Sequence, residues 1–101
     1  MTDRFVTQSP VTQGPDEEIA YDFNWSAIGT PDDEGDFVLY DSSLADVSST
    51  NLSGAASITG DVITSPKVVD LASLDVYYLL NTVTVDGNAL SAVLKIATDL
   101  I

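Results

Sequence analysis

From Ile19 the chain alternates strictly between apolar and polar positions. Ile19, Tyr21, Phe23 and Trp25 fall on one side of an extended backbone, and Ala20, Asp22 and Asn24 on the other. A period of two over this length predicts a strand buried on one face. The stretch Gly29-Thr30-Pro31-Asp32-Asp33-Glu34-Gly35 breaks the pattern with turn-forming residues, and Phe37-Val38-Leu39-Tyr40 starts a second strand that is expected to run towards Val47. Between Ser42 and Ser53 the chain is rich in Ser, Thr and Asn, whose side chains compete with a helical backbone for hydrogen bonds. This segment reads as an irregular edge or loop. Ala56 and Ile58 resume a strand and Gly60-Asp61 predicts a turn. Two short extended segments follow at Val62-Ile63 and Val68-Val69, separated by Pro66, which cannot donate to a central ladder.

The last third carries the strongest signal. Residues 76 to 85 read Val-Tyr-Tyr-Leu-Leu-Asn-Thr-Val-Thr-Val, a run of side chains suited to a pleated surface. Asp86-Gly87 is a hairpin turn signal, because the favoured two-residue turn needs positive φ at both positions. Leu90, Ala92, Leu94 and Ile96 then alternate with Ser91, Val93 and Lys95. A terminal β-hairpin is the expectation. Ahead of it, Leu71-Ala72-Ser73-Leu74-Asp75-Val76-Tyr77 has the Leu-to-Tyr spacing of a corner in which a tyrosine hydroxyl bonds back to the preceding loop, and Tyr77 is assigned that role. Short strands punctuated by turns, with no sustained helical period and no internal repeat, predict an all-β antiparallel sandwich of about seven strands.

At 101 residues one domain is expected, with residues 16–101 forming the sandwich. Residues 1–15 are polar and interrupted by Pro10, Gly14 and Pro15; they read as an extended arm. Phe5, Val6 and Val11 are its apolar anchors, suited either to clasping a neighbouring subunit or to serving as an edge strand or loose tail. The C-terminal Leu100 and Ile101 are added to these as candidate partner-binding residues.

Charge narrows the partners. Sixteen acidic residues, 13 of them Asp, stand against Arg4, Lys67 and Lys95, for a formal net charge of -13. A polyanion or an anionic lipid surface would be repelled, so neither nucleic acid nor membrane is expected as a partner. Two sources of the excess remain open: adaptation to a high-salt medium, or an acidic surface that avoids DNA or pairs with a basic neighbour. The N-terminal segment has no apolar run of the kind a signal peptide or membrane helix needs, and synthesis and assembly inside a cell are the expectation. On that reading the sequons at Asn24 and Asn51 are chance matches.

Little in the chain points to chemistry. Cys and His are both absent, which removes disulfides, thiolate metal sites and the most common catalytic base. The carboxylates of Asp16-Glu17-Glu18 and of residues 32–36 lie in loops, where like-charged neighbours keep them solvated rather than divided into acid and base. No catalytic residue and no cofactor is therefore nominated. Asp32, Asp33, Glu34 and Asp36 offer the oxygen ligands Ca²⁺ prefers but lack the EF-hand spacing, and they are kept only as weak metal candidates. Trp25 and Tyr21 on one strand face read as core rather than as an aromatic platform for sugar.

The string Pro15-Asp16-Glu17-Glu18-Ile19-Ala20-Tyr21-Asp22-Phe23-Asn24-Trp25-Ser26, followed by Gly35-Asp36-Phe37-Val38, resembles a family of small tailed-phage proteins that act as fiber-tail adaptors or head-tail joining proteins. The resemblance extends over residues 15–97 and includes the Tyr77 strand and Asp86-Gly87. Asn24 stands where the family has Asp, and Lys95 is alone where the last strand is usually rich in Arg and Lys. The resemblance implies an immunoglobulin-like virion protein without catalysis. Such a protein would be present in several symmetry-related copies and would contact portal, neck, tail or fiber subunits. A capsid decoration or turret protein, or a carbohydrate- or cell-surface-binding module, is the alternative the same fold allows.

Adaptation to salt has a measurable consequence. Molar salt shortens the screening length to roughly 3 Å and removes most self-repulsion. The melting temperature is expected to rise by about 5 °C or more between about 0.1 M and about 3 M salt. An unchanged melting temperature would leave the acidic surface to another cause.

Overall fold

The computed structural model describes residue 7 and residues 10–100, and among them the chain is nearly all β, with nine strands and one four-residue helix. In chain order these are β1 (Val11–Gln13), β2 (Asp22–Asn24), β3 (Asp36–Tyr40), α1 (Ser48–Asn51), β4 (Leu52–Ser53), β5 (Ser57–Thr59), β6 (Val62–Thr64), β7 (Lys67–Val68), β8 (Val76–Val85) and β9 (Asn88–Thr98). A four-stranded sheet runs in the order β1-β9-β8-β3. Opposite it lie a three-stranded sheet, β2-β6-β5, and the pair β4-β7. The expected antiparallel sandwich of about seven strands is thus nine strands with one departure, because β1 pairs parallel to β9. A parallel neighbour cannot come from a hairpin; β1 reaches β9 from the far end of the chain.

The terminal hairpin is the frame. β8 and β9 pair over ten residues from Val76↔Ala97 to Val85↔Asn88, and Asp86 and Gly87 turn at φ of +50° and +80°, as the two-residue turn requires. Alternation then sorts side chains by face. Tyr77, Leu79, Asn81, Val83 and Val85 of β8 and Ala92, Leu94 and Ile96 of β9 are buried. From the opposite layer Phe23, Trp25, Ile63, Val68 and Leu71 enter the same core. Phe23 meets Phe37 of β3 edge-to-face with ring centroids 5.4 Å apart. Burying such side chains stabilises by about 1.5–3 kcal/mol each, which is why the period of two decides the fold.

Two polar contacts fix how the layers meet. The indole Nε1 of Trp25 donates to Asn81 Oδ1 at 3.0 Å, with both residues fully buried. The Asn81 amide donates in turn to the carbonyls of Glu34 and Asp36, each at 3.2 Å. At the other end the Ala72 N–H donates to the Tyr77 hydroxyl at 2.9 Å, which is the corner expected from the sequence. The second strand stops earlier than expected. β3 ends at Tyr40, and Asp41 Oδ1 accepts from the N–H groups of Ser43 and Ala45 to close a turn instead of letting the strand run to Val47. The chain then folds back, with Val47 N–H donating to Leu39 O.

Asn81 leaves three partners without a bond if it is removed, and each buried unsatisfied group costs about 1–3 kcal/mol. Asn81→Leu is expected to lower unfolding free energy by about 3 kcal/mol or more, and Trp25→Phe by about 1–2 kcal/mol. Because they share one bond, the double variant should cost less than the sum in urea denaturation. Simple additivity would show that the two side chains stabilise the core independently.

Candidate functional site

The acidic loop was the first candidate for chemistry, and its geometry explains why its carboxylates stay apart. Gly35, at φ +66°, lies so close to β8 that a Cβ would stand 2.1 Å from Thr82 O, so the chain can pass there only as glycine. Asp32 N–H donates to Thr84 O, and Pro31 is buried. With the Glu34 and Asp36 carbonyls turned in to Asn81, the side chains face outward. Asp32, Asp33 and Asp36 are exposed and Glu34 is half-buried. Asp33 Oδ1 accepts from Gly35 N–H at 2.8 Å. Among the described residues no three carboxylates converge in a way that would hold a metal ion. Asp33 to Asp36 line an open polar depression together with Thr82 to Thr84.

The partner-binding candidates are scattered. Phe5, Val6 and Ile101 lie outside the described residues. Val11 pairs with Ile96 and packs half-buried against the core, so part of the stretch read as an arm is a strand of the main sheet. Leu100 is 64% exposed. Trp25 is fully buried and so offers no platform to a ligand, while the Tyr21 hydroxyl is committed to a neighbour. Asn51 of the second sequon spends its amide on the carbonyls of Val69 and Asp70, both at 3.0 Å. Among the described residues no helix is long and apolar enough to cross a membrane.

Sheet edges are another route to a partner. β1, β2 and β5 are three residues each, too short to template a long added strand, and residues 46–48 fold over the outer edge of β3. Beside that edge Asp46 Oδ1 accepts from the hydroxyl and the N–H of Ser48. These bonds hold the Asp46 carboxyl below its ordinary pKa.

One polar cluster had no sequence signal beyond an unremarkable Gln. Gln13, fully buried on β1, donates to Val68 O at 2.7 Å and to Glu17 O at 2.9 Å, and its Oε1 accepts from Tyr21 OH at 2.7 Å. It joins the main sheet to β7 and to the strand that carries the aromatic stripe. Nothing in the local pattern marks a residue whose partners lie as far off as 55 positions along the chain. Of the exposed side chains, Leu100 was named from the sequence, Leu44 fell in the segment read as irregular edge or loop, and Leu74 fell in the corner ahead of the Tyr77 strand.

No model of a known protein family matches this chain. A comparison with curated proteins likewise finds no match.

Burial, and after it the negative charge of Glu17, push the Tyr21 phenol up to about 12 from its ordinary 10. The folded state thus prefers the neutral phenol. That preference is fully present below pH 10 and is lost as the pH rises through about 12. Stability should decline over that window, with less decline in Tyr21→Phe, as followed by denaturant midpoint. An identical decline in both proteins would assign the loss to other groups.

Proposed function

We propose that the chain is a structural protein of a tailed-virus particle, connecting fiber, neck or tail components in the head-tail region through subunit contacts and without catalysis. The observation that carries this reading is where the family-like residues fall. Trp25, the best-marked residue of the resemblance, locks the two layers through Asn81, and Tyr77 and Asp86-Gly87 shape the corner and the terminal hairpin. The likeness therefore lies in residues that build the frame, as expected between proteins that share an immunoglobulin-like body and differ on its surface. A body measuring 40 × 27 × 21 Å suits a spacer between larger subunits.

On this reading the chain is made in the host cytoplasm and ends in the virion, in several symmetry-related copies beside portal, neck, tail or fiber subunits. Its acidity then serves a salt-rich host environment, contact with a basic neighbour, or both.

Immunogold labelling of purified particles of the encoding virus is expected to place the chain at the head-tail junction, with quantitative mass spectrometry giving several copies per particle. Particles that lack the chain would overturn the proposal, and label spread over the capsid would replace it with a decoration role.

A further inference from the structure

Leu74, Leu44 and Leu100 are 73%, 69% and 64% exposed, the highest values among the exposed large apolar side chains of the described residues. All three lie at one end of the main sheet. β8 runs antiparallel to β3 and β9, so its first residues sit beside the last residues of both: Tyr40 is opposite Tyr78, and Ala97 is opposite Val76. Leu44 occupies the turn after β3, Leu74 the loop before β8, and Leu100 the segment after β9. The last two are joined, since Leu74 N–H donates to Asp99 O at 3.3 Å and Ser73 Oγ to Leu100 O at 3.1 Å. Ile28 and Val93, the other exposed apolar residues, are only 40% and 39% exposed and lie away from this end.

These leucines do little for the fold. Leu44 and Leu74 hold φ of +64° and +56°, a region in which an L side chain crowds the backbone at a cost of about 1 kcal/mol or more. A Gly or Asn would relieve the strain and expose less apolar surface. Each leucine is also bordered by carboxylates: Asp41 and Asp46 flank Leu44, Asp70 and Asp75 bracket Leu74, and Asp99 precedes Leu100. Of the two described cations, Lys67 lies on β7, and Lys95 lies on β9 opposite Tyr78, where it has interactions of its own; the charged side chains of the loops themselves are all carboxylates.

We infer that this end of the sandwich is a docking surface for a protein partner that presents an apolar face bordered by Lys and Arg. The inference rests on reading the chain as a contact protein and adds the surface and the partner's chemistry. Charge selects the occupant. A second copy of this end would set carboxylates against carboxylates, and nucleic acid or anionic lipid would meet the same repulsion. The leucines supply contact that survives screening by salt, and the aspartates supply steering and orientation.

The test uses the full chain and its variant Leu44→Ser/Leu74→Ser/Leu100→Ser, whose melting temperature should be unchanged or higher because the side chains replaced are exposed. The probe is a helical peptide of Leu and Lys with a net positive charge, and the control is a Gly and Lys peptide of equal charge. Nuclear magnetic resonance titration is expected to move resonances of Leu44, Leu74, Leu100 and their neighbours, with affinity about tenfold weaker in the variant. The control peptide should not distinguish the two proteins. Equal affinity of the Leu and Lys peptide for both proteins, or a dimer of the chain that the variant abolishes, would overturn the inference. Particles separate this claim from the connector reading. Normal incorporation of the folded variant would sink the docking surface alone, whereas absence of the unaltered chain would sink the connector and leave the peptide titration to judge the surface.

Discussion

The hydrogen bond from the Trp25 indole to Asn81 joins the two layers by a directional contact inside a core made mostly of apolar side chains. An aliphatic residue at position 81 would let the layers slide, since hydrophobic burial alone does not specify an angle or a register. With Asn there, one side chain receives the indole of the opposite layer and grips the backbone of the acidic loop through the carbonyls of Glu34 and Asp36. Burial makes these bonds costly to lose, the fully buried bond from Trp25 to Asn81 most of all. A network satisfied in this way favours one arrangement of the layers over others.

The charge distribution follows from that constraint. Once the acidic loop is held by its backbone, its carboxylates turn outward, and their negative charge becomes a property of the surface. Gln13 acts in the same manner at the other end, where it joins β1, β7 and the Tyr21 strand around a buried amide. The interior is thus cross-linked by two neutral amides while the ionised groups stay outside, in keeping with the large cost of burying a charge. The product is an acidic body whose three most exposed large apolar side chains, among the described residues, sit in loops at one end.

Much of the architecture was legible along the chain. The aromatic stripe from Ile19 to Trp25, the Asp86-Gly87 hairpin and the Tyr77 corner are signals between near neighbours in sequence, where period, turn chemistry and spacing act directly. Two readings were incomplete, one for want of a distant partner and one for an unrecognised local turn. β1 looked like part of an arm because three residues carry no period, and its pairing with Val11↔Ile96 spans nearly the whole chain. The strand from Phe37 was drawn too long because Asp41 was not recognised as the acceptor that closes a turn.

Of the candidate site, sequence located the acidic loop and Leu100, but it could not say which loops share an end of the molecule. By itself it determined a β protein with one apolar face per strand, a net charge that repels polyanions, and the lack of any Cys or His chemistry. These depend on residue type and local period alone. Tertiary structure decided that Asn81 and Gln13 are the interior bolts, that the loop carboxylates do not converge among the described residues, and that the loops carrying Leu44, Leu74 and Leu100 lie at one end of the main sheet. Those outcomes depend on the pairing of strands far apart in the chain, and it is the summed burial of the whole core that sets that pairing.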